Sequence, residues 1–252
     1  MSKQITITFL LICTANLVGI TAVSTSAFAE SAVQLEEVVV TARRRAELDQ
    51  EVPIATSVFN QSTIKRARIE RPADFINLTS NVSITDTANA GDTQVNIRGI
   101  TSTRDAEGTF AFVVDGVLIT NPNGFNQELF DIQSIEILKG PQGALYGRNA
   151  VSGAILVNTV PPSDVVESTI RIGGGTDGLQ KLGLSISGPL SDSLRGSLSV
   201  MSREDDGQQK NEFTGQDDVV DFVDEQNVRA RLVWDVSDRL TLDAVVGARY
   251  VE

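Results

Sequence analysis

Histidine is absent from the 252 residues, and there is one cysteine. Without imidazole there is no histidine general base, no Ser-His triad and no His-ligated metal centre. The cysteine, Cys13, lies in an apolar N-terminal stretch, so no disulfide framework is expected. Positive charge is scarce: 21 Lys and Arg stand against 33 Asp and Glu, a formal net charge of −12. That sign opposes binding to a phosphate backbone, and no nucleic-acid partner is expected. Long apolar runs are also lacking. The stretch from Ile5 to Ile20 is interrupted by Thr6, Thr8, Thr14 and Asn16, which is too short and broken for a transmembrane anchor. The paired carboxylates Asp205-Asp206 and Asp217-Asp218 sit in a polar, glycine-containing stretch and read as a solvated loop. No catalytic residue, metal ligand or cofactor site is expected, and the chain does not read as an enzyme.

What is present begins with an export signal. Lys3, the apolar stretch and Ala27-Phe28-Ala29 supply its charged, apolar and small-x-small parts, with cleavage expected after Ala29. Ile12 precedes Cys13 where lipid attachment would call for a small residue. Shortly after the signal comes Leu35-Glu36-Glu37-Val38-Val39-Val40-Thr41-Ala42, whose three consecutive β-branched residues favour extended backbone. Residues 43–51 are too polar to bury. An extended apolar segment on a solvated linker suits strand addition to the sheet edge of a partner. An edge strand of the domain itself is the alternative.

A small mixed α/β unit is expected over residues 53–162, long enough for one core. A strand is predicted over 55–59. Ser62 or Thr63 is positioned to cap a helix through Ile64 and Ile69 that ends by Pro72, and a second short helix fits 73–78. Val82-Ser83-Ile84 reads as extended, and residues 95–100 as one strand with an internal charge. Asp115-Gly116 between two apolar runs is a hairpin signal, and Asn121-Pro122-Asn123-Gly124 is a turn. Residues 132–159 read as strand, glycine-bounded turn and strand. Ile135 and Ile137 alternate with Glu136 as in a half-buried strand. Gly140-Pro141-Gln142-Gly143 turns the chain, and residues 144–146 make one helical turn before Gly147 stops it.

The run Glu136-Ile137-Leu138-Lys139-Gly140-Pro141-Gln142-Gly143, followed by Leu145-Tyr146-Gly147-Arg148-Asn149-Ala150 and Gly153-Ala154-Ile155, resembles the end of the plug domain of TonB-dependent outer-membrane receptors. Ile97-Arg98-Gly99-Ile100 and Val113-Val114-Asp115-Gly116-Val117 match two further plug motifs. The resemblance implies that residues 37–42 (Glu37, Val38, Val39, Val40, Thr41 and Ala42) are the TonB box. In the family this box pairs with the inner-membrane protein TonB, which is energised by ExbB and ExbD. It implies that Arg98 and Arg148 pair with glutamates on the barrel wall. By their order in the chain, the loops at 85–90, 101–108 and 120–125 correspond to the plug apices that face ligand, with Asp86, Arg104, Asp105 and Phe125 as candidates.

After Pro161-Pro162 the periodicity becomes two. Leu182, Leu184 and Ile186 alternate with small polar residues, as do Leu194, Leu198 and Val200. Val228 to Trp234 alternates with Arg229 and Arg231, and Leu240 to Tyr250 with Thr241, Asp243 and Arg249. About five antiparallel strands are predicted, each with an apolar and a polar face, and Trp234 and Tyr250 sit near strand ends where interfacial aromatics belong. Residues 188–193 and 235–239 read as short turns, and 203–226 as a long acidic loop. Since the smallest closed membrane barrels have about eight strands, these strands are expected to be the start of an incomplete barrel.

The expected organisation is therefore signal peptide 1–29, TonB box and linker 30–52, plug 53–162, and barrel strands 163–252. The fold class is an α+β plug followed by antiparallel strands. The implied function is TonB-dependent uptake of a scarce nutrient across the Gram-negative outer membrane, with a ferric siderophore as ligand. This chain alone is not expected to transport. The alternative is a periplasmic plug-like binding module without transport, or a truncated gene product.

Overall fold

The computed structural model describes residues 39–40, 47–48, 54–86, 93–102, 108–121, 124–125, 127–207, 213 and 222–251. The expected signal peptide, Glu37, Val38, Thr41, Ala42, Arg104 and Asp105 lie outside them. Strands β1 (Val39–Val40) and β2 (Glu47–Leu48) pair antiparallel. The segment read as a solvated linker thus supplies a short partner strand to β1.

Next come β3 (Ala55–Asn60), α1 (Gln61–Ala67), α2 (Pro72–Asn77), β4 (Val82–Asp86), β5 (Thr93–Ile97) and β6 (Ile100–Thr101). They are followed by β7 (Phe110–Val114), β8 (Val117–Ile119), β9 (Ile132–Lys139), α3 (Gly143–Tyr146) and β10 (Gly153–Thr159). The main sheet has the order β3-β9-β10-β7-β8, with β10 and β7 parallel and the other pairs antiparallel, while β4-β5-β6 forms a second small sheet.

The cap of α1 is Asn60 rather than Ser62 or Thr63: its side-chain oxygen accepts from the Thr63 N–H at 2.8 Å. The helix closes on Arg68 in the left-handed region, φ 51°. In α2, Pro72 stands in the first turn, where its missing N–H costs nothing, and the Asp74 carboxylate accepts from the N–H groups of Glu70 and Arg71. The expected single strand over 95–100 is broken. Arg98 (φ 53°) and Gly99 (φ 86°) form a two-residue turn from β5 to β6, because two successive positive φ values match the twist of a tight hairpin. The Asn96 side chain braces it, accepting from the Gly99 N–H and donating to Thr101 Oγ1. The Asp115-Gly116 hairpin stands as expected, with φ of 46° and 82°. The backbone also turns after Asn121, where the Gly124 N–H donates to its carbonyl.

Strand β9 is not half-buried. It lies between β3 and β10 with apolar clusters on both faces: Phe75, Ile76, Val95, Ile135, Ile137 and Ile155 on one, and Ala111, Val113, Leu138, Ala154 and Leu156 on the other. Helices and the small sheet cover one face, so the apolar run continues and the alternation signal is lost. Even Glu136 is 1% exposed, accepting from Asn158 Nδ2 at 3.3 Å.

Five antiparallel strands follow in sequence order: β11 (Glu167–Gly174), β12 (Gln180–Ser191), β13 (Leu194–Asp205), β14 (Val223–Ser237) and β15 (Leu240–Val251). The sheet is not closed into a barrel. The turns expected over 188–193 and 235–239 contract to Asp192-Ser193 and Asp238-Arg239. Register shifts between Pro189 and Ser191, and between Asp235 and Ser237, each absorb one residue beside the turn. The outer face carries exposed Ile170, Ile172, Leu184, Ile186, Leu198 and Val246. Trp234 and Tyr250 stand near opposite ends of that face, since Tyr250 pairs with Gln226. Eight positions along β14 separate Gln226 from Trp234, roughly 27 Å at ~3.4 Å per residue, which fits an apolar band about 25 Å tall on tilted strands. Strands β12, β13 and β15 have 12 residues each and β14 has 15, enough for the roughly 9–11 that a tilted span needs, and among the described residues no helix is long and apolar enough to cross a membrane.

Candidate plug and barrel interface

Residues 127–131 lead into β9 and lie against the polar face of β11–β15. Period-two alternation brings that face together: Lys181, Gly183 and Ser185 on β12 stand opposite Arg203, Met201 and Ser199 on β13, which face Glu225, Asn227 and Arg229 on β14. The core holds the segment from behind through buried Leu129 and through the Leu129 N–H, which donates to the Glu70 carbonyl at 2.6 Å.

Glu128 is the centre of a charge cluster. Its carboxylate receives Lys181 Nζ at 2.9 Å and an Arg203 guanidinium nitrogen at 3.1 Å, with Arg71 Nε at 4.0 Å. Lys181 also reaches Glu70 at 2.5 Å, and Arg203 reaches Asp205 at 2.7 Å. The Glu128 N–H donates to Glu225, which is wholly buried and accepts from Arg249 Nε at 2.9 Å. Burial lowers the Arg71 pKa, and the nearby Arg203 charge adds to the effect. Desolvating this many charges is tolerable because they are paired: Lys181 and Arg203 with Glu128 across the seam, and Glu225 with Arg249 within the wall.

Three residues on, Asp131 accepts from Ser185 Oγ at 2.9 Å and Ser199 Oγ at 3.3 Å. Further along, Arg231 links plug to wall a second time. It donates to the carbonyl and the hydroxyl of Thr159 at 3.3 Å each, stands 3.7 Å from Asp115 and pairs with Asp243 at 2.7 Å. Asp115 itself accepts from the Thr159 N–H and hydroxyl, so the β7–β8 turn fastens the end of β10.

Arg98 is exposed at the β5–β6 turn, close over Gly140 and beside Lys139, at the end of β9 away from this seam. Burial lowers the Lys139 pKa, helped by the Arg98 charge. Arg148 is exposed in the turn after α3. Asp86 ends β4. Phe125 requires a correction. It is 3% exposed and packs edge-on against Phe110 (5.1 Å) and Phe112 (4.9 Å), so it is a core aromatic and not a ligand-facing loop residue. Three rings that satisfy one another's edge-to-face preference outweigh the polarity of the loop around them. Val39 and Val40 form β1.

Sequence reasoning missed Glu128, Phe130 and Asp131. It placed Arg229 and Arg231 on the polar face but gave them no partner. The available signal was Glu128-Leu129-Phe130-Asp131, an apolar pair between two acids, set against a cationic strand face in an otherwise acidic chain.

The family profile described as TonB-dependent Receptor Plug Domain matches residues 49–154. The pesticin receptor of Yersinia pestis is 29% identical over 168 residues, covering 66% of this chain and 25% of its own. The vitamin B12 transporter BtuB of Vibrio vulnificus strain YJ016 is 27% identical over 183 residues, covering 70% of this chain and 29% of its own. Among solved structures, the ferric yersiniabactin uptake receptor FyuA from Yersinia pestis superposes with a TM-score of 0.72 at 25% identity, over 78% of this chain and 31% of that one. The chain thus spans about a quarter of the length of the curated relatives it matches. A matched plug, seated on the polar face of antiparallel strands whose other face is apolar, makes this chain a member of the TonB-dependent outer-membrane receptors, of which it holds the plug domain and part of the barrel.

Proposed function

We propose that the chain belongs to a receptor that takes up a scarce, bulky nutrient across the outer membrane, and that the nutrient is a ferric siderophore. The observation that carries this reading is the seam itself: an acidic plug segment fastened across the polar side of strands that turn an apolar belt outward. The iron-chelate relative supports the ligand class, with vitamin B12 as the competitor. In this reading residues 1–29 direct export and 37–42 recruit TonB, powered by ExbB and ExbD. Arg98 and Arg148 pair with glutamates of wall strands outside this chain, and Asp86, Arg104 and Asp105 face ligand. Radiolabelled uptake by cells carrying the gene should show accumulation of a ferric siderophore that stops when TonB is deleted. Accumulation of cobalamin in place of every ferric chelate tried would transfer the assignment to that class.

The box has its own test. Val39→Pro removes a backbone donor and fixes φ, which disrupts strand addition. Affinity for a purified TonB C-terminal domain should fall by roughly tenfold or more, as expected when a main-chain ladder supplies the binding. Unchanged affinity would remove residues 37–42 from the interface.

A further inference from the structure

Phe130 is buried, yet it belongs to neither apolar cluster of the plug, whereas Phe125, Leu129 and Ile132 around it all do. Its burial comes from the wall. The ring lies against Gly183 of β12 so closely that a Cβ there would stand 2.6 Å from the ring edge. The Arg171 guanidinium of β11 sits over the ring, 5.2 Å from its centroid. The Phe130 carbonyl accepts from Arg229 of β14 at 2.8 Å. Beside it remains a void of about 10 Å³, lined by Ser199, Met201, Asn227 and Arg229, about the smallest space that holds one water.

A large aromatic filling a pocket, ringed by the ion pairs of Glu128 and the hydroxyl bonds of Asp131, has the anatomy of an interface hot spot. We infer that Phe130 is the anchor of the plug in a socket formed by β11–β14, and that this socket seats the plug without any further part of a barrel. The second clause follows from where the contacts lie. The ring and carbonyl of Phe130 and the carboxylates of Glu128 and Asp131 meet the wall on β11, β12, β13 and β14. Gly183 is the residue that makes room: on a strand that otherwise alternates normally, it removes the one side chain that would occupy the ring's place. The socket for residues 128–131 is therefore complete within this chain, and it can seat the plug on an open sheet even if Arg98 and Arg148 take further partners.

The test uses this chain in detergent micelles, with Cys13→Ser as background and Ser185→Cys as reporter. Ser185 is buried beneath the anchor segment, and its hydroxyl donates to Asp131. Maleimide labelling at this position should be slow compared with Asp192→Cys in the exposed turn. Phe130→Ala and Gly183→Leu should each accelerate it by roughly tenfold or more, because each opens a site closed by several buried contacts. The double variant Gly183→Leu/Phe130→Ala should return toward the slow rate, since the new side chain fills the space the ring vacates. Strand content by far-UV circular dichroism should be equal in all four. Labelling of the Ser185→Cys reporter without further substitution as fast as at Asp192→Cys would overturn self-sufficient seating. Slow labelling in both single variants, or fast labelling in the double variant, would overturn the anchor. None of these readouts depends on ligand or TonB.

Discussion

Glu128→Gln lowers the stability of the seated plug by about 3 kcal/mol, the lower end of what removing one partner from a buried charge group costs. The amide keeps the shape of the side chain but not its charge, so Lys181 and Arg203 across the seam, and Arg71 on the plug side, face a neutral group. The loss stays at that lower end because Lys181 retains Glu70 and Arg203 retains Asp205. With a slope of about 1.5 kcal/mol per M for a domain of this size, the urea midpoint of the plug, read by pulse proteolysis, should fall by roughly 2 M. Asp164→Ala is the matched control. Asp164 also pairs with an arginine, Arg195 at 3.1 Å, but its side chain is 84% exposed, and its loss should shift stability by less than about 0.5 kcal/mol. Equal midpoints for Glu128→Gln and the parent would mean that the cluster is decoration on a seam held by packing.

Gly153→Val disrupts the plug core itself. A Cβ at Gly153 would stand 2.3 Å from the Leu138 carbonyl oxygen and 3.2 Å from Ile97 Cδ1. The first of these is backbone of β9, pinned between β3 and β10, and it cannot swing aside as a side-chain end does. The strand must pull away at the Gly153–Lys139 pair, where β10 also meets Phe110 of β7. The expected cost is about 3 kcal/mol or more, the upper range for overpacking, and the plug should become protease-sensitive while β11–β15 keep their strand signal. Gly143→Ala, in the same motif, is the contrast. Nothing lies within 4 Å of a Cβ there, and the residue opens α3, so the substitution should be neutral or stabilise by up to about 1 kcal/mol. A tolerated Gly153→Val would mean that β9 and β10 separate more easily than their shared core suggests.

These two glycines illustrate what could be read from the sequence. Both stood out in the motif between β9 and β10, but only coordinates separate the one that makes a turn from the one that permits close approach. The wall strands were legible because a lipid-facing side and a polar side impose a strict period of two. Their turns were drawn too long because a bulge beside each turn carries the strand onward. The plug strands were harder to judge: burial on both faces of β9 erases alternation, and Glu136 inside it read as a solvent-facing residue. The seam was not legible at all. Glu128 and Asp131 find their partners on strands more than 50 residues away, and nothing in local pattern encodes which face of a later strand they will meet. Phe125 and Phe130 make the same point in miniature. Five positions apart, one is core and the other is the wall's, and the sequence around them says nothing of the difference.

Strand β3 is both the outermost strand of the plug sheet and the first to be reached from the N-terminal side. Tension entering from that side therefore meets a single six-residue ladder, from Ala55 paired with Lys139 to Asn60 paired with Ser134. Hydrogen bonds along such an edge can open in succession, beginning at Ala55, without the whole sheet yielding at once. Beyond the ladder the load passes into β9, whose first residue follows directly on Asp131 and the grip of the wall. The plug is thus arranged as a peelable margin on a held centre, so that a modest pull would strip the margin while the centre stays seated.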